Sequence, residues 1–340
     1  MNIEFVNISK ELHEQCEAFV LQQPNTLLYQ TIKYQSLITA LLNVPNETIV
    51  ALVNNEVKGI FPLMAKDGKF GKVYNSLPFY GSNGGPIGAD ETITQALIEE
   101  YVRTTTQDNV AASTLVTNPL DEVDYSKLSY HLLDERAGQF TKLDFDNPKE
   151  DLMQSFHYKT RNMVRKGMKN DIEVIVDNNA LDFLYDTHVE NMKAIGGIPK
   201  SKKFFDLIAT FFKGDVDYKI YTASKDGSPI SALLLFYYKG VVEYFTPVIK
   251  VEYRNLQPNS VLIYQAMTDA AKEGFKWWNW GGTWPSQENL YRFKSRWGGQ
   301  DFVYKYFVHI NNKDIYNATP EELLSEYSNF YVLPFNALKS

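Results

Sequence analysis

All five tryptophans of the chain stand between Trp277 and Trp297, in the segment KWWNWGGTWPSQENLYRFKSRWGG. Rings alternating along a strand go to a core, whereas loop aromatics such as Trp284 and Tyr291 can stack on a sugar, a base or a pantetheine arm. In the same segment Arg292, Lys294 and Arg296 alternate with Phe293 and Ser295, gathering positive charge beside glycines that let backbone come close. A second basic run, KTRNMVRKGMK (159–169), puts Arg161 and Arg165 one helical turn apart on one face, a pair able to grip a phosphate. It reads equally as a solvated helix face, with Phe156, Met163 and Met168 on the core side. A third group, Lys200, Lys202 and Lys203, sits where a loop enters a helix, a place that favours anions and that also carries ordinary surface lysines.

Other chemistries lack their residues. His13, His131, His157, His188 and His309 are scattered singly, without the spacings that put two ligands on one ion, so no metal site is expected. The single cysteine, Cys16, excludes an internal disulfide and reads as a packing residue. There is no Gly-x-Ser-x-Gly, no Gly-Lys-Ser/Thr phosphate loop and no paired-carboxylate motif, which argues against hydrolase, ATPase and glycosidase chemistry. The loop FYGSNGGPIG (79–88) has four glycines but not the Gly-x-Gly-x-x-Gly spacing of a dinucleotide site.

The elements that must position these groups follow from length and pattern. The chain has 340 residues, 44% hydrophobic and 22% charged, values of a globular protein long enough for two domains. Its net charge of −7 makes any nucleic-acid contact regional. The longest strongly apolar stretch, 232–238, is far short of the roughly 20 residues of a membrane span, and the N-terminus lacks a basic-then-apolar signal, so a cytoplasmic protein is expected.

Periodicity predicts helices over 10–21 and 34–42, a hairpin of 48–53 and 57–65 about Asn54-Asn55, a strand over 72–77, a helix over 90–106 and a strand over 110–116. The second half repeats this grammar: strands 218–223 and 230–238 about Asp226-Gly227, strand 241–248, helix 258–274, strand 275–280. Asn147-Pro148 predicts a helix start, with the helix running to about 169, and marks the boundary between domains 1–147 and 148–317. Helices are predicted over 180–194 and 202–213. Thr319-Pro320 begins a last helix within 318–340, expected to pack back on the first domain or on the interface.

The segments KTRNMVRKGMKND (159–171), NMKAIGGIPKSKKFF (191–205) and GFKWWNWGG with NLYRFKSRWGG (274–299) resemble the FemABX-type aminoacyltransferases. Tyr29-Gln30-Thr31 and the loop 77–85 extend that resemblance over most of the chain. It implies an α+β (mixed α/β) architecture of two tandem acetyltransferase-like (GNAT) domains, each a mixed sheet flanked by helices. It implies an N-acyltransferase that moves an aminoacyl group from aminoacyl-tRNA to an amino group of a peptidoglycan or surface-glycan precursor. No tightly bound cofactor is implied; aminoacyl-tRNA or acyl-CoA would be the co-substrate, and the partners would be a nucleotide- or lipid-linked phosphate-bearing precursor and tRNA.

By the same resemblance Lys294 polarises the acyl carbonyl, a role suited to a fixed cation in a partly dehydrated cleft. Lys33, Tyr80, Lys200 and Tyr244 match positions that contact the acceptor and its diphosphate, Lys200 standing where an arginine is usual. The segment Arg254-Asn-Leu-Gln257-Pro-Asn259 lacks both glycines of the pyrophosphate loop of acetyl-CoA enzymes. Two other functions fit the residues: an acyl-CoA-dependent N-acyltransferase acting on an amino sugar, and a non-catalytic binding protein of the same fold.

Overall fold

A computed structural model describes residues 2–79 and 84–339. The chain divides into two compact units, Met1–Arg136 with Val303–Ser340, and Ala137–Phe302.

In the first unit, strands β1 (Glu4–Asn7), β2 (Ile49–Val53) and β3 (Glu56–Phe61) pair antiparallel, β3 also holding the short β6 (Ile87–Gly88). The β2–β3 turn is Asn54-Asn55, both in the left-handed region at φ 53° and 63°, which asparagine tolerates. Proline at 62 cannot donate to a ladder, so the single strand predicted over 57–65 is two: β3, and β4 (Met64–Gly68), which pairs with β5 (Gly71–Asn75). Helices α1 (His13–Gln22), α2 (Ile32–Leu42) and α3 (Glu91–Thr105) complete this part of the unit, and α3 connects to β7 (Val110–Val116), which lies parallel to β5. Cys16 is buried in α1, and burial pushes its thiol up to about 12, as befits a packing residue.

The second unit begins within β8 (Leu132–Lys142). The predicted helix from Asn147-Pro148 is two, α4 (Pro148–Ser155) and α5 (Tyr158–Gly167). It breaks because Phe156 is extended and buried, 5.0 Å from the Trp297 ring, while the His157 N–H donates to Arg296 O at 2.9 Å. Burying an aromatic outweighs one turn of helix continuity. Strand β9 (Glu173–Val176) follows, then helices α6 (Leu181–Ala194) and α7 (Lys202–Phe211) and the meander β10 (Tyr218–Lys225), β11 (Ser228–Tyr238), β12 (Val241–Ile249). Helix α8 (Pro258–Lys272) leads to β13 (Trp277–Thr283), and α9 (Glu288–Ser295) to β14 (Gly299–Ile310). The strand order in this unit is β8-β13-β12-β11-β10-β9, with α8 packed on β10, β11 and β12.

The units therefore divide at Arg136/Ala137 rather than at the predicted 147/148, and 303–317 belongs to the first unit, where β14 pairs with β7 from Ile310–Ala112 to Tyr306–Val116. The tail is helical only over α10 (Pro320–Glu326). It packs on β4 and β5: the Tyr327 hydroxyl donates to Gly71 O (2.8 Å), and the Tyr331 N–H to Asn75 Oδ1 (2.7 Å). Among the described residues no helix is long and apolar enough to cross a membrane.

Candidate active site

In the second unit β12 and β13 run parallel for three rungs, Val241–Trp277, Val242–Trp278 and Glu243–Asn279, and then separate. Past the last rung β13 turns to β8, pairing Gly282 with Gly138 and Thr283 with Ala137, while β12 bulges at Phe245 against β11. Gly281, at φ 71°, makes the turn possible. Where two parallel strands part, their ends stop bonding each other and a ligand can enter.

The last rung is a buried polar pair. Asn279 Nδ2 donates to Glu243 Oε2 at 2.8 Å and the Gly281 N–H donates to Asn279 Oδ1 at 2.8 Å, with both residues almost wholly enclosed. Beyond it the Tyr244 ring lies 4.8 Å from Trp280 and 6.0 Å from Trp278. Burial holds the Tyr244 hydroxyl protonated far above the ordinary tyrosine range. On the same two strands Thr246 Oγ1 and Trp278 Nε1 are buried without a hydrogen bond.

Helix α9 delivers Lys294 to the turn in β13. Its residues were expected to alternate in sequence; on a helix Arg292 and Arg296 share one face while Lys294 points the other way. Lys294 is 3% exposed, and its Nζ donates to Gly281 O (3.1 Å), Gly282 O (3.0 Å) and Thr283 Oγ1 (2.8 Å). The turn that frees these carbonyls from the ladder makes the cage. Desolvation pulls the lysine down to about 8. Thr283 also borders a cleft of about 400 Å³ with Ala137, Trp284, Pro285, Tyr291, Glu288 and Arg292, mostly apolar wall with one charged pair at 3.3 Å on its lip. A cation that costs little further desolvation, beside an apolar cleft, can stabilise charge developing on an acyl oxygen.

The remaining expected residues lie elsewhere. Lys200 is on the loop before α7; its N–H donates to His188 Nε2 at 3.0 Å and its ammonium stands 5.4 Å from the Phe245 ring centre. Burial brings Lys200 to about 8, and burial followed by the Lys200 charge brings His188 to about 4. Arg161 and Arg165 line a separate groove on α4, α5 and α8, where Arg161 Nη1 donates to Phe156 O (2.5 Å) and Gln154 O (3.3 Å), capping the end of α4. Lys33 is exposed in the first turn of α2, in the first unit. Tyr80 lies outside the described residues. Sequence reasoning therefore grouped Lys294, Trp284 and Arg292 correctly in space, with Tyr244 two rings away through Trp280 and Phe293. It passed over Glu243 and Asn279, whose signal was one polar residue in each of the apolar strings VVEYF and WWNW.

The start of α8 is closed by the chain itself. Gln257 is left-handed at φ 63°, Pro258 brings no N–H, and Asn259 accepts a hydrogen bond from the Ser231 hydroxyl. Helix α5 covers the same end: a Cβ on Gly167 would stand 2.3 Å from Val261 Cγ2 and 2.9 Å from Gln257 O, and Asn170 Nδ2 donates to Leu256 O at 3.0 Å.

Residues 154–302 match the acetyltransferase (GNAT) domain family. The second unit is a GNAT domain. Over its length the chain has the fold of FemX, at TM-score 0.67 and 15% identity, covering 92% of this chain and 98% of that one. It is also similar to a tandem GNAT protein from the clavulanic acid biosynthesis pathway (TM-score 0.54, 12% identity, 91% and 99% covered). A third similar structure is the C-terminal domain of a putative lysylphosphatidylglycerol synthetase from Agrobacterium fabrum (TM-score 0.54, 11% identity, 90% and 93% covered). No curated protein sequence matches it. The α+β tandem GNAT fold of the FemABX type is what the molecule has, and its class is acyltransferase.

Proposed function

We propose that this GNAT-fold acyltransferase moves an aminoacyl group from aminoacyl-tRNA to an amino group of a phosphate-bearing cell-envelope precursor, nucleotide- or lipid-linked, in the cytoplasm. The observation that carries this reading is the Lys294 ammonium held by two carbonyls and a hydroxyl beside an apolar cleft, in a GNAT domain whose α8 start is filled by its own side chains. A pyrophosphate needs open N–H groups at that helix start, and here a proline, a left-handed glutamine and the packing of α5 occupy it. The FemX fold and the lysylphosphatidylglycerol synthetase fold, whose names belong to envelope chemistry, support the acceptor class.

In the reaction the neutral amine attacks the ester carbonyl. The N–C bond forms, the ester C–O bond breaks, and the proton lost by nitrogen ends on the departing ribose oxygen. The acyl oxygen takes the place of Thr283 Oγ1, the acceptor that borders the cleft, at Lys294 Nζ, so the cation meets the developing negative charge. The cleft of Trp284, Pro285 and Tyr291 takes the apolar part of the acyl group, and Arg292 stands at its lip. Lys200 and Tyr244, with Lys33 and Tyr80, are assigned to the acceptor. An amine with a pKa near 8 is partly neutral at pH 7 and needs positioning more than a strong base.

The family description favours a second reading, acyl transfer from acyl-CoA to an amino sugar. One assay separates them: transfer to nucleotide-linked amino acceptors from charged tRNA in one arm and from acetyl-CoA in the other, with wild type and Lys294→Met. Transfer from charged tRNA, lost in the variant, is the expected result. Transfer from acetyl-CoA alone overturns the donor, undiminished transfer by the variant overturns the role of Lys294, and no transfer in either arm leaves a binding protein.

A further inference from the structure

The groove that holds Arg161 and Arg165 takes no part in the chemistry just described, and its charge is unusual for this chain. Lys149, Lys159, Arg161, Arg165, Lys166 and Lys169 fall on α4, α5 and the turn after α5, in a molecule whose net charge is −7. Helix α5 carries no acidic residue. Among the described residues none of these six cations is ion-paired, whereas Lys72, Lys202, Lys219 and Arg292 each have a carboxylate within 4 Å.

The surface is built rather than merely basic. A concavity of about 560 Å³ is walled by Lys149, Met153, Gln154, Arg161, Arg165 and Tyr264, with Glu150 the one acid on its rim. The Tyr264 hydroxyl, on α8, donates to Lys149 O at 2.9 Å and fixes α4. Gly167 lets α5 sit against Val261 of α8. Arg161 is anchored through one nitrogen to the two α4 carbonyls, which aims the planar guanidinium and leaves its other N–H groups to donate. Exposed Tyr158, 4.4 Å from the His157 ring, offers a stacking face at the start of the same helix.

The extent of the charge tells which anion fits. Ten residues of helix at about 1.5 Å each spread the cations over roughly 15 Å, more than one diphosphate engages. Successive phosphates of one strand recur along such a line, and cations recessed in a concavity suit a strand that enters it. We propose that the α4–α5–α8 groove binds the ribose-phosphate backbone of an RNA, the tRNA of the aminoacyl donor. This rests on the donor reading above and adds where the RNA lies.

The test measures binding of uncharged total tRNA by anisotropy from 25 to about 250 mM salt, for wild type, Arg165→Ala, Lys149→Ala and the double variant Arg165→Glu/Lys166→Glu. All these side chains are exposed, so each variant is expected to melt as wild type does. Each alanine is expected to lower the slope of log affinity against log salt by about 1, and the double reversal to weaken binding at least tenfold at the lowest salt. If wild type binds tRNA and all variants bind it equally, the groove assignment is wrong and the donor reading stands. If wild type does not bind tRNA at the lowest salt, the donor reading fails and the groove assignment with it. If the variants lose affinity for vesicles of phosphatidylglycerol while keeping it for tRNA, the groove is a membrane surface and the proposal is overturned.

Discussion

Each unit contains the same device, two parallel strands joined through a helix, and the two copies end differently. In the first unit β5 and β7 pair from Lys72–Val110 to Asn75–Thr114 and stay closed beyond the last rung. The Ser76 N–H donates to Thr114 O (2.9 Å), the Val116 N–H to Ser76 Oγ (2.9 Å) and the Gly84 N–H to Val116 O (3.2 Å). The tail then seals the end: Asn75 Nδ2 and Thr114 Oγ1 both donate to Tyr331 O, at 2.8 and 3.1 Å. In the second unit β12 and β13 part after Glu243–Asn279, with no tail across them, and the turn that separates them exposes the carbonyls that hold Lys294. One copy uses its parallel pair as a clasp and the other as a mouth. The difference rests on Gly281-Gly282 in β13, against Leu115-Val116 in β7, which continue the ladder.

The largest test of this contrast lies in the open copy. Lys294→Met keeps the length of the side chain and removes the cation, and transfer is expected to fall about 10²- to 10³-fold in kcat, the usual effect of losing one oxyanion donor. KM for the donor should move little, because the acyl cleft is intact. A large change in KM with kcat preserved would make Lys294 a structural brace for the turn and remove the contrast.

The closed copy should respond in the opposite currency. Asn75→Ala removes two bonds to Tyr331 and leaves a buried N–H unpaired, which is expected to cost about 2 kcal/mol of stability by denaturant unfolding. The transfer rate should be unchanged. A drop in rate at unchanged stability would mean that the sealed end of β5 and β7 is used after all.

Much of this arrangement was legible in the sequence because it is local. Asn54-Asn55, Asp226-Gly227 and Pro258 state their turn and helix start in two or three residues, and the period of the flanking apolar positions does the rest. What was not legible depends on partners far along the chain. The split at Phe156 is decided by Trp297, and the domain limits by β14 crossing to β7, a pairing of residues nearly two hundred positions apart. The burial of Lys294 could not be read either, since a short helix with three basic residues looks like a solvated face until the turn of β13 supplies acceptors. Glu243 and Asn279 were hidden for a related reason: a polar residue inside an apolar strand announces itself only when its partner across the rung is known.

The smallest expected effect concerns pH and again separates the copies. Among the described lysines those brought to about 8 are Lys200 and Lys294, both in the second unit. A lysine whose folded pKa lies below its unfolded value binds fewer protons in the native state between the two, so stability rises with pH through that window. Below about pH 8 the folded state carries the full cost of the buried charge; from there toward 10.5 that cost is progressively relieved. For Lys294 alone the gain from pH 7 to pH 9 is about 1 kcal/mol, and Lys294→Met should remove that share of the slope while leaving the Lys200 share. Transfer should move the other way at the upper end: the ammonium that meets the oxyanion is lost above about pH 8, while the acceptor amine becomes neutral over the same range. The rate is therefore expected to pass through a maximum near pH 8, and its descending limb should be absent in Lys294→Met. A descending limb that survives in the variant would assign the loss to another group and leave the cage of Gly281, Gly282 and Thr283 without a role in the chemistry.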